Sequence, residues 1–117
     1  MSTRNLNALF NPRSIAVIGA SERATSLGGM VLRNLMAGDY GGRLLVVNRH
    51  GYDQVHGIPC VRRVRSMRVV PDLAIICTPP ETVPKVVRQL GEAGVRTAMV
   101  MTGGMSRANS RNGQPLM

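Results

Sequence analysis

Aromatic residues are nearly absent from this sequence. Phe10, Tyr40 and Tyr52 are the whole set, 3% of 117 residues, and there is no tryptophan. Stacking platforms for single-stranded nucleic acid are therefore all but excluded. Acidic residues are also scarce, 6 against 15 basic ones, and the formal net charge is +9. Of the basic residues only Lys85 is a lysine; the others are arginines. A field of this sign concentrates polyanions. Most of the arginines are dispersed, as on a solvated surface, and the one cluster is Arg62, Arg63, Arg65 and Arg68.

Cysteine is limited to Cys60 and Cys77, too few for a disulfide framework. Each adjoins an apolar stretch, where a free thiol behaves as a small hydrophobe. Together with His50 and His56 they match no zinc spacing, so no metal is expected. Long apolar runs are missing too. Ile15–Ile18, Leu44–Val47 and Leu73–Cys77 are among the longest, far below the roughly 20 residues of a membrane span. The opening Met1-Ser-Thr-Arg-Asn leads into no apolar signal core. The expectation is a cytoplasmic protein with no membrane partner.

What is present is a globular composition, 44% hydrophobic and 18% charged, at a length that suits one domain. Residues 1–12 read as a lead-in, with Leu6, Leu9 and Phe10 at helical spacing before Asn11-Pro12. Ser14-Ile-Ala-Val-Ile-Gly19 is an apolar, β-branched run ending in glycine, the pattern of a buried parallel strand. A polar loop, 19–28, precedes a helix over 27–37, whose predicted apolar face is Leu27, Met30, Val31 and Leu35. Residues 43–48 make a second buried strand, 57–61 a short one and 71–77 a third long one. Residues 62–70 show no clear period. A second helix is predicted over 81–93, with Val83, Val86, Val87, Leu90 and Ala93 inward and Pro84 in its first turn. A last strand covers 95–102, and Gly103-Gly104 is a turn. Residues 13–104 thus form the domain, and 105–117 a polar tail or truncated loop. Strands alternating with helices imply a Rossmann-like, doubly wound parallel α/β sheet of about five strands.

In such sheets ligands bind beyond the carboxyl ends of the strands. Four segments lie there: 19–28, 48–50, 77–80 and 102–104. Gly19 allows a sharp exit from the first strand, Ser21, Thr25 and Ser26 bring hydroxyls, and the helix brings free N–H groups, which together make a phosphate site. The loop is neither G-x-G-x-x-G, since Ser21 stands where glycine is needed, nor a P-loop. The second strand ends in Asn48-Arg49-His50 without the carboxylate that holds an NAD ribose. Arg49 suits a phosphorylated ribose, as in NADP or coenzyme A. Thr78-Pro79-Pro80 is a rigid apolar wall for an adenine or a pantetheine chain. Cys77 has no C-x-x-C partner and no neighbouring histidine, which disfavours a reactive thiol.

Two blocks are distinctive: Leu9-Phe-Asn-Pro-Arg-Ser-Ile-Ala-Val-Ile-Gly-Ala-Ser21 and Pro71-Asp-Leu-Ala-Ile-Ile-Cys-Thr-Pro-Pro80. With Val46-Val47-Asn48, Gly57 and Gly94-Val95, they resemble the N-terminal CoA-binding domain of NDP-forming acyl-CoA synthetases. The same domain opens synthetase-like protein lysine acetyltransferases with a GNAT module, and it is similar to the CoA-binding part of the succinyl-CoA synthetase α subunit. The resemblance implies a coenzyme A or acyl-CoA site made of Gly19, Ala20, Ser21, Thr25, Ser26, Leu27, Asn48, Arg49, Cys77, Thr78, Pro79, Thr102 and Gly103. The loop from Ser21 to Leu27 would hold the CoA phosphates, and Asn48 and Arg49 would lie near the 3′-phosphate. Thr78 and Pro79 would line the cofactor, and Thr102 and Gly103 would approach the pantetheine arm.

Over 60–70 the chain departs from the family, which often has an aromatic and an acidic stretch there. The arginine cluster could serve a partner surface. Whole synthetases add a phosphorylated histidine and an ATP-grasp module, for which this chain is too short, so binding without catalysis is implied. His50 and His56 do not inherit the histidine role. Two other readings stay open: an NADP-binding oxidoreductase fragment, and a stand-alone regulatory or nucleic-acid-binding module using Arg62–Arg68.

Overall fold

A computed structural model describes residues 11–101. The helical spacing of Leu6, Leu9 and Phe10, the Gly103-Gly104 turn, the tail and the expected site residues Thr102 and Gly103 lie outside the described residues. The elements are β1 (Ser14–Ile18), α1 (Leu27–Ala37), β2 (Arg43–Val47), β3 (Gln54–Val55), β4 (Ile58–Val61), β5 (Leu73–Ile76), α2 (Val83–Glu92) and β6 (Ala98–Val100). Single 3₁₀ turns occupy Val64–Ser66 and Pro80–Thr82. Among the described residues, no helix is long and apolar enough to cross a membrane.

The strands form one six-stranded sheet in the order β3-β4-β2-β1-β5-β6. All neighbours run parallel except β3 and β4. The chain winds outward from β1 through β2 to the β3–β4 hairpin, then returns to the other flank of β1 with β5 and β6. The strand order therefore reverses between β1 and β5, which places the ligand crevice at their carboxyl ends.

Strand alternation explains the layers. Ile15 and Val17 of β1 share one buried cluster with Val46, Leu73, Ile75 and Leu32 of α1. Ala16 and Ile18 share the opposite cluster with Val47, Ala74, Ile76 and with Val86 and Leu90 of α2. A helix covers each face, so every residue of β1 is buried, and a continuous apolar run is what such a strand requires. The doubly wound α/β architecture stands as expected.

Several details differ from the sequence reading. The sixth strand, β3, is a two-residue partner that folds back through His56-Gly57, both at positive φ. Two residues are too short for an alternation pattern. Helix α1 has the predicted bounds, and Val31 and Leu35 pack against the sheet as predicted, but its fully buried residues are Gly28, Gly29 and Leu32, while Met30 is 39% exposed. Two glycines carry no hydrophobic signal, so the face closest to the sheet is silent in a hydropathy pattern. In α2, Val86 and Leu90 point inward, but Val87, one step around the helix, is 46% exposed. The α-helical part of that segment begins at Val83 because Pro80–Thr82 form a 3₁₀ turn. The last strand is shorter than expected, and its three residues are exposed at the sheet edge. Val95 is instead buried in the α2-side cluster.

Candidate functional site

Backbone hydrogen bonds carry the strand ends into a common rim. Gly19 N donates to Val47 O (2.7 Å), Cys77 N to Ile18 O (2.9 Å), Asn48 N to Val61 O (2.9 Å) and Met101 N to Ile76 O (2.8 Å). The residues just beyond β1, β2, β4, β5 and β6 thus sit side by side. Gly19 occupies the reversal point at φ +98°, a left-handed conformation that favours glycine. A Cβ there would meet Cys77 O and Thr78 Cγ2, each at 3.0 Å.

The loop into α1 is folded by its own serines. Ser26 is the N-cap, and its Oγ accepts from Gly29 N (3.0 Å) and from Ser21 N (3.2 Å). Ser21 Oγ accepts from Arg23 N (3.4 Å). Each hydroxyl accepts, and so retains its proton as a donor. Close approach completes the loop: a Cβ on Gly29 would collide with the Ser21 carbonyl oxygen. The first N–H groups of a helix have no intrahelical partner and draw anions, and the first turn of α1 holds no acidic side chain.

Asn48 is buried and spans two loops. Its Nδ2 donates to Ala20 O (2.8 Å), and its Oδ1 accepts from His50 N (2.8 Å). The side chain that the sequence places near a phosphate therefore also locks the β1 and β2 loops together. Across the rim, the Thr82 hydroxyl lies within donating distance of the Thr78 hydroxyl (2.6 Å) and of the Pro79 carbonyl (2.7 Å). Burial pushes the Cys77 thiol up to about 11, which keeps it protonated near neutral pH. Cys60 is raised by the same cause, and both cysteines are free.

Two adjoining cavities open on this rim. The smaller, about 280 Å³, lies at the N-terminus of α1 and is lined by Ser21, Thr25, Ser26 and Leu27, together with Arg23 and Tyr52. The larger, about 1060 Å³, runs between the 62–70 segment and α2 and takes in Arg49, Thr78 and Pro79. Gly19, Asn48, His50 and Cys77 line both. Ten of the expected site residues are therefore brought to one continuous rim, as those two linings record. Ala20 is not among them: it is fully buried in the α1-side cluster and offers the rim only its chain geometry.

Several lining residues stand outside the expected site set, although His50 falls within the 48–50 segment expected at the rim. His50 and Tyr52 follow β2, their rings 6.3 Å apart and tilted. Arg62, Arg63 and Arg65 line the larger cavity opposite Glu81, Lys85 and Glu92. The signal for the arginines was the pairing of β4 parallel to β2, with Val47 opposite Val61. That register carries residue 62 to the same rim as residue 48, but it cannot be read from a strand as short as β4.

The class of protein now follows. Residues 13–113 match the model of the CoA binding domain family, and the chain belongs to that family. Within it, the chain is 35% identical over 105 residues to the acetate–CoA ligase (ADP-forming) of Methanocaldococcus jannaschii, covering 90% of this chain and 14% of that protein. It is 34% identical over 104 residues to the acetate–CoA ligase (ADP-forming) I subunit alpha of Pyrococcus furiosus, covering 86% of this chain and 22% of that one. Among solved structures it superposes on the dinucleotide-forming acetyl-coenzyme A synthetase 1 of Ca. Korarchaeum cryptofilum, in complex with phosphate and ADP. The TM-score there is 0.81 at 33% identity, over 94% of this chain and 24% of that chain. The chain thus spans less than a quarter of the length of each of these relatives.

Proposed function

We propose that the chain binds coenzyme A along the two-cavity rim and serves as the CoA-binding part of an ADP-forming acyl-CoA synthetase. One observation carries the reading. A helix N-terminus framed by Ser21 and Ser26 opens directly into a larger, arginine-lined groove through shared residues at the strand reversal. A diphosphate suits the first, since backbone N–H groups and hydroxyls can all donate to it. A ribose phosphate suits Arg49 in the second. The Thr78-Pro79 segment provides the drier wall for the rest of the molecule.

The ADP-forming ligases among the relatives support a synthetase parent over an acetyltransferase one. The chain's own part is to bind and orient the thiol-bearing substrate. The acyl-activating chemistry belongs to domains supplied by the remainder of such a synthetase.

Calorimetry of the full chain with CoA, dephospho-CoA and acetyl-CoA tests the reading. Binding of CoA is expected, and absence of heat with all three in a folded sample overturns it. Arg49→Ala is expected to weaken CoA by about tenfold or more while sparing dephospho-CoA. Equal losses for both would remove Arg49 from the 3′-phosphate.

A further inference from the structure

From the packing of Arg62 we infer that this residue, on β4's side of the rim, joins Arg49 in a two-guanidinium clamp that selects a phosphorylated ribose. The inference rests on the CoA reading above and deepens it, by naming the group that discriminates CoA from its dephospho form.

Gly51 follows the turn that carries Arg49 and His50, closed by Gly51 N donating to Asn48 O (3.2 Å). It sits at φ +77°. A Cβ on Gly51 would stand 2.5 Å from both Nε and Nη2 of Arg62 and 2.8 Å from its Cζ. The guanidinium of Arg62 therefore lies against the bare backbone of this turn, in space that any other residue would fill. Arg62 is otherwise exposed, so the contact is a placement of its head and not a burial of the side chain. Arg49 and Arg62 line the same cavity, from the ends of adjacent parallel strands.

Two guanidinium groups that line one cavity from the same turn and its neighbouring strand end repel each other when nothing lies between them, and a dianionic phosphate removes that repulsion. The fork of donors on each also matches phosphate oxygens in pairs. The acidic residues of this cavity, Glu81 and Glu92, belong to the opposite, α2 side. An anion at the β2 turn thus faces cations from its own wall, where Arg63 and Arg65 add to the field.

The test compares the full chain with Arg62→Ala, Arg62→Gln and Gly51→Ala by calorimetry against CoA and dephospho-CoA, with circular dichroism as the check on folding. The unaltered chain is expected to prefer CoA. Both Arg62 variants are expected to lose about tenfold or more for CoA and little for dephospho-CoA, so that the preference collapses. Gly51→Ala, which keeps Arg62 but displaces its head, is expected to lower the preference as well. A preference unchanged in folded Arg62→Ala and Arg62→Gln overturns the clamp and leaves the CoA reading standing. No CoA binding by the unaltered chain overturns that reading, and the clamp with it.

Discussion

On the α1 side of the strand reversal the rim is made of backbone; on the β4 side it is made of long side chains. The first wall is set by glycines at van der Waals limits and by serine hydroxyls that bridge main-chain N–H groups. The second is set by Arg49, Arg62, Arg63 and Arg65, all exposed and rooted at β2, β4 and a 3₁₀ turn, with the head of Arg62 resting against Gly51. A backbone wall is rigid and its geometry is inseparable from folding. A side-chain wall can change its charge or reach while the fold is untouched. Substitutions should therefore split cleanly, with stability effects on one side and affinity effects on the other.

The largest stability loss belongs to the α1 side. Leu32 is fully buried between α1 and the sheet, and Leu32→Ala should cost about 2–5 kcal/mol in denaturant unfolding. Met30→Ala, on the exposed face that hydropathy alone would have turned inward, should change the unfolding midpoint little. Gly29→Ala comes next. Its new Cβ must displace the Ser21 carbonyl, which should cost about 1–3 kcal/mol and also widen the smaller cavity. Ser26→Ala removes the N-cap acceptor of α1 and should cost about 1 kcal/mol. On the other side, Arg63→Ala should leave the melting curve in place and instead flatten the salt dependence of CoA affinity. A loss of stability there as large as that of Gly29→Ala would erase the distinction between the walls.

The same contrast governs what the sequence reveals. The β1 and β5 runs are legible because full burial on both faces demands uninterrupted apolar, β-branched residues, and β2 shares the pattern through its buried Val46 and Val47. The α1-side loop is legible because serine before a helix and glycine after a strand have local causes. The inward face of α1 is only half legible: Val31 and Leu35 show it by their spacing, but its tightest contacts are made by Gly28 and Gly29, which have no side chain to score. The arginines are hidden for another reason. Their place on the rim comes from the pairing of β4 with β2, a long-range choice made by a four-residue strand. Read in order, Arg62 to Arg68 is a charge cluster without a location. Only the fold makes Arg62 a neighbour of Gly51.

The smallest effect is also the one that tests how dry the reversal point is. Burial holds the Cys77 thiol near 11, against an ordinary value of 9.0. The unfolded chain therefore loses this proton first as pH rises. The thiol's contribution to stability is whole below pH 9 and declines from there towards pH 11. Tyr40 is also raised, by burial and then by Asp72, but from 10.0, so its decline begins later. Denaturant midpoints measured at pH 8, 9 and 10 for the unaltered chain and for Cys77→Ala separate the two. The unaltered chain should lose stability between pH 9 and 10 more steeply than Cys77→Ala, and the two should run parallel below pH 9. If the variant declines just as steeply, water reaches the floor of the crevice where Gly19 and Cys77 meet. The wall beside Thr78 would then be as open as the arginine side, and the two halves of the rim would differ in charge alone.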